Sequence, residues 1–191
     1  MYKRHVGRPR GGDPGETRRA ILDAAEGCFA ASGFAGTTTR QVAARAGVNV
    51  ATLHYHFGSK EELYRSVLGA VAREDVPFLA KGETPAERLS SAVEALWDFG
   101  AAHPARPRLR LFQRLSGSLF SAGLLDDRRA TLLAQTLAET GVTTPLPPDE
   151  TARLILALLD GALVLVEDGH GSAIASRAGV VAAALRVAGL L

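Results

Sequence analysis

Residues 37–60 read TTTRQVAARAGVNVATLHYHFGSK, and the way this stretch folds decides how the rest of the chain is understood. It divides into two short helical segments around Gly47-Val48-Asn49. Gly47 tolerates a left-handed backbone that side-chain-bearing residues avoid, so a tight turn belongs there. Thr38-x-x-Gln41 has capping-box spacing and starts the first segment. Val42, Ala43 and Ala46 form its inward face, and Val48 plugs the core beneath the turn. Asn49 suits the cap of a second segment, about Val50 to Phe57. With Leu53 at the centre of the inward face, Asn49, His56 and Phe57 fall within about 60° of it. Ala51, Thr52, His54 and Tyr55 then point outward.

A helix-turn-helix with short, polar and aromatic outer residues suits a DNA groove. The start of the first segment offers free backbone N–H groups, the hydroxyls of Thr37, Thr38 and Thr39, and the guanidinium of Arg40, a ready set for a phosphate. A small residue at Ala51 lets the second segment approach closely, while Thr52 and Tyr55 reach phosphates or base edges. His54-x-His56 is not read as a metal site, because residues two apart do not share a helix face and no Cys or carboxylate stands at ligand spacing. Ser59-x-x-Glu62 caps a further helix carrying Leu63, Val67 and Val71. Lys60 sits in its first turn, where a cation opposes the helix dipole, a cost most simply explained by a DNA phosphate facing it.

Upstream, a helix from about Thr17 to Ser32 carries Ile21, Leu22, Ala25 and Phe29 on one stripe and ends at Gly33. Cys28 borders that stripe and reads as a buried inert thiol. Before it lies a Gly-, Pro- and Arg-rich arm expected to be disordered in the free protein. Gly7-Arg8-Pro9-Arg10 within it is similar to the core of an AT-hook, whose arginines lie in a narrow minor groove. The alternative is a solubilising basic tail.

Bulk properties agree with this division. The chain has 191 residues, is 47% hydrophobic and carries a net charge of +2. Residues 1–65 hold ten Lys/Arg against six Asp/Glu, and residues 66–191 twelve against fourteen. A basic front and a mildly acidic rear suit a nucleic-acid-binding end joined to something else. A single cysteine excludes an internal disulfide and fits a reducing cytosol. No signal peptide is read, and the longest apolar run, Leu154 to Val166, is interrupted by Asp160 and too short for a bilayer. The expectation is a soluble cytoplasmic protein with no metal or cofactor.

Thr37–Arg40, then Gly47-Val48-Asn49-x-x-Thr52-Leu53-x-Tyr55-His56-Phe57-x-Ser59-Lys60-Glu61-x-Leu63, resembles the N-terminal DNA-binding domain of TetR-family transcriptional regulators. Ile21-Leu22-x-Ala24-Ala25 with Phe29, Gly33 and Thr37-Thr38 is similar to that family's first helix. The resemblance implies an all-α homodimer, in most members a repressor whose operator affinity falls when a small ligand binds the C-terminal domain. It places Thr38, Thr39, Arg40, Val50, Ala51, Thr52, His54, Tyr55 and Lys60 at DNA-contacting positions. Many members have tyrosine where this chain has His54; a histidine there donates to a phosphate in a pH-dependent way. The domains follow as a basic arm (1–13), a DNA-binding domain (14–74, with the helix-turn-helix at 37–56) and a helical ligand-binding and dimerisation domain (75–191).

In the rear, Thr84-Pro85-x-Glu87 is a strong helix start, followed by Leu89, Val93, Leu96, Trp97 and Gly100 at helical spacing and a stop at His103-Pro104. Arg106-Pro107-Arg108 opens the next helix, with Leu109, Phe112, Leu115 and Leu119 inward. Arg106, Arg108, Arg110 and Arg114 read as a solvated basic face, with an acidic ligand as the alternative. A helix is expected over Leu124 to Thr140 and a loop over Thr143 to Pro148. Asp149 is read as the next cap, and Ser172 as the cap of the last helix after a break at Gly169-His170-Gly171. These two helices (about 149–168 and 172–190) are so apolar that a four-helix bundle across a two-fold axis is expected, with Gly161, Ala162, Gly179 and Ala183 allowing close approach. The alternative is a wholly intramolecular core. Trp97, Phe99, Phe112 and Phe120, with Asp160 or His103 as polar anchors, are the candidate pocket for a small-molecule effector.

Three functions were compatible with these features. A dimeric, ligand-released repressor on an operator of double-stranded DNA fits best. A ligand-independent architectural DNA binder fits the basic arm. A helical enzyme fits least, since no nucleophile elbow, metal triad or phosphate loop is present in the sequence.

Overall fold

The computed structural model describes residues 13–73, 80–115, 128–141, 144–171 and 175–191. Arg8, Arg10, Leu119, Phe120, Leu124, Thr143 and Ser172, named above, lie outside them, as does the side chain of Leu115. Among the described residues every regular element is a helix: α1 Pro14–Gly36, α2 Thr39–Arg45, α3 Val50–Phe57, α4 Lys60–Ala72, α5 Pro85–Ala102, α6 Ala105–Leu115, α7 Arg128–Glu139, α8 Pro148–Glu167 and α9 Arg177–Val187. None of these is long and apolar enough to cross a membrane.

Helix starts follow local chemistry. α1 begins three residues earlier than its periodicity suggests, because Asp13 accepts the Gly15 N–H at 3.0 Å and Pro14 occupies the first turn, where its missing N–H costs nothing. Its regular geometry stops at Gly33, with φ 67° and ψ 179°, before a last turn to Gly36. Thr38 caps α2 and Thr84 caps α5, each through a complete capping box. Two backbone N–H groups donate to Glu87, from Thr84 and Glu83, and hold its carboxyl below the usual range. That support for α5 is present above the ordinary carboxylate range and is lost as pH falls through the lowered one. Two rear starts differ from expectation. α8 is entered through Pro147 and Pro148 with no side-chain cap, leaving Asp149 in the first turn, where it complements the dipole. α9 is capped by Ser176, whose hydroxyl accepts the Gly179 N–H at 3.1 Å.

Two cores form. The front one joins Ile21, Ala25 and Phe29 of α1 to Val42, Leu53, Leu63, Tyr64 and Leu68. Burial of each large side chain there contributes about 1.5–3 kcal/mol. Phe29 meets Tyr64 edge-on, with ring centroids 4.8 Å apart. Cys28 is half-buried at the border of this core. Leu109 of α6 belongs to the same core and is fully buried. The rear core gathers Leu89, Leu96, Leu133, Ile155, Leu159 and Ala184 from α5, α7, α8 and α9.

α6 lies between the two cores, and its arginines do not form a solvated face. Arg106 reaches Glu26 of α1 at 3.2 Å. Arg108 pairs with Glu167 and Asp168 at the end of α8. Arg110 and Arg114 turn to Asp160, at 3.5 and 2.9 Å, and Arg129 of α7 joins them at 3.1 Å. Asp160 is fully buried, as are Arg110 and Arg129 apart from 3% of their side chains. Sequence periodicity shows only that these arginines share a helix; it cannot show a carboxylate waiting 46 residues downstream of Arg114.

A carboxylate out of water needs several charge-assisted hydrogen bonds to offset its lost hydration. Asp160 has them, so the guanidiniums of α6 and α7 converge on it. Asp160→Asn keeps the shape and removes the charge. Removal of one partner of a buried ion pair costs roughly 3–5 kcal/mol, and urea denaturation should show a loss of that order.

Candidate nucleic-acid interface

α2 and α3 pack through their inward faces and leave the outward face of α3 uncovered. Leu53 is fully buried and Phe57 nearly so, while Ala51, His54 and Tyr55 are exposed. Tyr55 stands out, with 85% of its surface open to solvent. An aromatic so exposed on a short helix has no role in the fold and is free to contact a partner. Arg40, on the first turn of α2, is exposed and forms no ion pair among the described residues. Val50 is half-buried and packs on the front core, so only its outer rim faces the same side.

The hydroxyls are engaged internally in ways that set what they offer. The Thr38 hydroxyl accepts the Gln41 N–H at 3.2 Å and donates to Gln41 Oε1 at 2.8 Å. Asn49 Oδ1 caps α3 by accepting the Thr52 N–H at 2.7 Å, and it also accepts the Thr52 hydroxyl at 3.0 Å. With their protons held, Thr38 and Thr52 present lone pairs and methyl groups outward, suited to base amino groups and thymine methyls. Thr39 is half-buried. Thr37 is not part of the surface. It is buried, and its hydroxyl lies 3.0 Å from the Cys28 carbonyl and 2.8 Å from that of Gly33.

Lys60 has a role within the fold that its position does not reveal. Its Nζ donates to the carbonyls of Phe34 and Thr37, each at 3.0 Å, and lies 4.3 Å from the centroid of the Phe34 ring. Two of its three ammonium hydrogens are therefore spent on the end of α1. The C-terminal carbonyls of α1 supply the negative potential that makes a cation acceptable in the first turn of α4. A DNA phosphate is left with the remaining hydrogen. The misplaced charge was the sequence signal; its partner, 26 residues upstream, was not visible from local spacing. His56 is half-buried beside Tyr55 and Phe57, as a packing residue. Among the described residues no three His, Cys, Asp or Glu side chains gather to hold a metal ion.

Among the described residues the effector-pocket candidates lie in separate places. Trp97 lines a cavity of about 350 Å³ with Gly100, Pro104, Pro107, Leu163 and Val166. Phe99 instead meets His103 at a tilt, with ring centroids 4.6 Å apart, and the Nδ1 of His103 bonds the Phe99 carbonyl at 2.9 Å. Phe112 lies against Gly33 of α1, and Asp160 is enclosed by its arginines. Leu163 and the two prolines were missed because nothing in helical spacing separates a pocket wall from a core.

Residues 21–67 match the family described as bacterial regulatory proteins, tetR family. The transcriptional regulator RutR of Escherichia coli is 30% identical over 151 residues, covering 73% of this chain and 70% of its own length. The chain belongs to the TetR family. The regulator BetI of Agrobacterium fabrum is 29% identical over 153 residues, 75% of this chain and 73% of its own. The transcriptional repressor AcnR of Corynebacterium glutamicum is 37% identical over 71 residues; there the chain spans only 36% of the relative's length. Among solved structures, the HlyIIR mutant protein superposes with a TM-score of 0.65 at 23% identity, over 94% of this chain and 97% of its own. A TetR-like regulator from Rhodococcus gives 0.59 at 22%, over 93% and 97%. These two show the shared fold.

Lys60 and Arg40 of this TetR regulator should separate by measurement. Lys60→Met removes two charge-assisted hydrogen bonds from a half-exposed site and should lower the unfolding free energy by about 1–2 kcal/mol. Arg40→Ala should leave the denaturation midpoint unchanged and flatten the salt dependence of DNA affinity by about one unit per protomer.

Proposed function

We propose that the chain is a cytoplasmic repressor that binds an operator as a homodimer and releases it when a small molecule enters the rear half. The open outward face of α3, with Tyr55 at its centre, carries this reading. Ala51, Thr52 and Tyr55 read base edges. Thr38 presents its methyl and hydroxyl lone pairs to the groove edge, while Thr39, Arg40 and the rim of Val50 position the helix on the backbone, with Lys60 contributing its one remaining N–H. Arg8 and Arg10 of the arm (residues 1–13) add a minor-groove contact. Residues 14–74 form the DNA-binding domain and 75–191 the regulatory and dimerising one. Repression follows the designation of relatives such as AcnR.

Pairing through α8 and α9 is supported by Leu154, Leu158 and Leu165, which remain 45%, 44% and 48% exposed in the single chain. Beside them lies an apolar hollow of about 360 Å³ lined by Ala157, Gly161, Val180 and Ala183. Small residues there let a second pair of helices approach. An isologous contact brings the two reading heads to half-sites about 34–36 Å apart, or a multiple of that. The Trp97 cavity is the effector site of this reading. Its Pro107 belongs to α6, which is tied by Arg106 to α1, so a ligand there has a short route to the reading head.

Selection of duplexes from a random library by the full chain should enrich one two-fold-symmetric sequence family; a pool with no enrichment would refute the proposal. Leu158→Glu with Leu165→Glu should convert the dimer to a monomer in analytical ultracentrifugation and weaken binding to the selected duplex by about 100-fold or more, since one head keeps only half the contacts. Tyr55→Ala should change the selected sequence, whereas Arg40→Ala should weaken all duplexes alike.

A further inference from the structure

His54 is the fifth residue of α3 and is exposed. Its Nδ1 lies 2.6 Å from the carbonyl oxygen of Gly58, the residue that caps the helix. The Gly58 N–H donates in turn to the His54 carbonyl at 2.8 Å. A carbonyl oxygen only accepts, so the hydrogen of the ring contact belongs to Nδ1. This holds in both charge states of the ring. In the neutral ring Nε2 then carries a lone pair and no hydrogen; in the imidazolium it carries a donor.

Position decides which DNA group the ring meets. Base edges are read by the N-terminal part of a recognition helix. The His54 ring is folded the other way, toward the C-terminal cap, where the duplex offers backbone phosphates. A phosphate only accepts. A neutral ring would set lone pair against lone pair, whereas a charged ring donates a charge-assisted hydrogen bond. The last carbonyls of α3 also favour a cation at this end. The charged residues of the neighbouring helices include Arg40 and Arg45 on α2, Lys60, Glu61 and Glu62 on α4 and Arg18 on α1. Lys60 is held by the Phe34 and Thr37 carbonyls, Glu62 by Arg65, and Arg18 lies over the Phe57 ring. None of them forms an ion pair with His54 among the described residues.

We infer that His54 takes up a proton when the regulator seats on DNA, making one phosphate contact per protomer that exists only in the charged form. This rests on the DNA-binding role proposed above. The proton comes from solvent and is held at Nε2, while the Nδ1–H bond to Gly58 persists. The charged form is the one that binds, so affinity rises as pH falls and is lost as the imidazolium gives up its proton. A tyrosine at this position would donate its hydroxyl throughout and show no such dependence.

The test uses the full chain and a fluorescent duplex recovered by the selection described above, titrated near pH 6 and pH 8 at several KCl concentrations. Affinity should fall at least tenfold from the lower to the higher pH, beyond any fall in the variants. The salt slope should be steeper by about one unit per protomer at the lower pH. Calorimetry in buffers of different ionisation heat should show proton uptake on binding. His54→Gln should abolish the extra pH dependence and the uptake. His54→Tyr should bind equally at both pH values, near the wild-type affinity at the lower one. Both variants change an exposed side chain, and matching thermal melts would confirm their folding. Retention of the pH dependence and proton uptake in His54→Gln would overturn the inference, as would their absence in the wild type. A library that yields no enriched duplex instead refutes the DNA-binding reading and takes this inference with it.

Discussion

The reading head is held by what happens where α1 ends. A helix terminus leaves carbonyls without partners, and at the end of α1 they would be left beside a buried core. Thr37 and Lys60 answer them from two directions. The buried Thr37 hydroxyl lies within hydrogen-bond reach of the carbonyls of Cys28 and Gly33, and the Lys60 ammonium binds those of Phe34 and Thr37. Because Thr37 immediately precedes the cap of α2, and Lys60 opens α4, the chain on either side of the helix-turn-helix is fastened to neighbouring carbonyls in the last turns of α1. The angle at which α3 is presented depends on that knot. Gly33 makes it possible, since its φ of 67° directs the chain out of the helix without a Cβ to clash.

The front of the molecule was largely legible in the sequence, and for a physical reason. Capping boxes, turn glycines and apolar stripes act over four or five residues, so Thr38-x-x-Gln41, Gly47, Asn49 and the Leu53 face can be read locally. What could not be read was any interaction whose partners lie far apart in the chain. Lys60 betrayed itself as a cation in the wrong turn, but its partner is on another helix. The arginines of α6 share one helix in the sequence and have three separate destinations in the fold: Glu26, the Glu167-Asp168 pair and Asp160. His54 lay within local reach, four residues from a capping glycine, yet spacing alone does not show a ring turned back on its own helix end.

The rear half was legible as helices and not as a site. Apolar spacing placed α5 and α8 well, while proline geometry at Pro147-Pro148 displaced the expected Asp149 cap. Among the aromatic residues expected to gather at a pocket, Trp97 alone among the described ones lines the cavity beside Pro107 and Leu163. Phe112 instead lies against Gly33 at the end of α1. Volume-filling by a phenylalanine is the same chemistry in a core and in a cavity wall, so composition cannot separate the two.

Leu109 is buried in the core of the DNA-binding end although it comes from α6, and Phe112 covers the same side of α1. The front core thus reaches past that stretch of sequence to α6. A fragment cut at about residue 74 would lose the apolar lid over α1 and the ion pair from Arg106 to Glu26. A chimera that grafts this head onto another regulator's rear half inherits the same requirement. The donor must bring α6 along, or the recipient's equivalent helix must already carry a leucine and a phenylalanine three residues apart and an arginine three residues before them. Heads in this architecture are therefore exchangeable only together with a strip of the body they sit on.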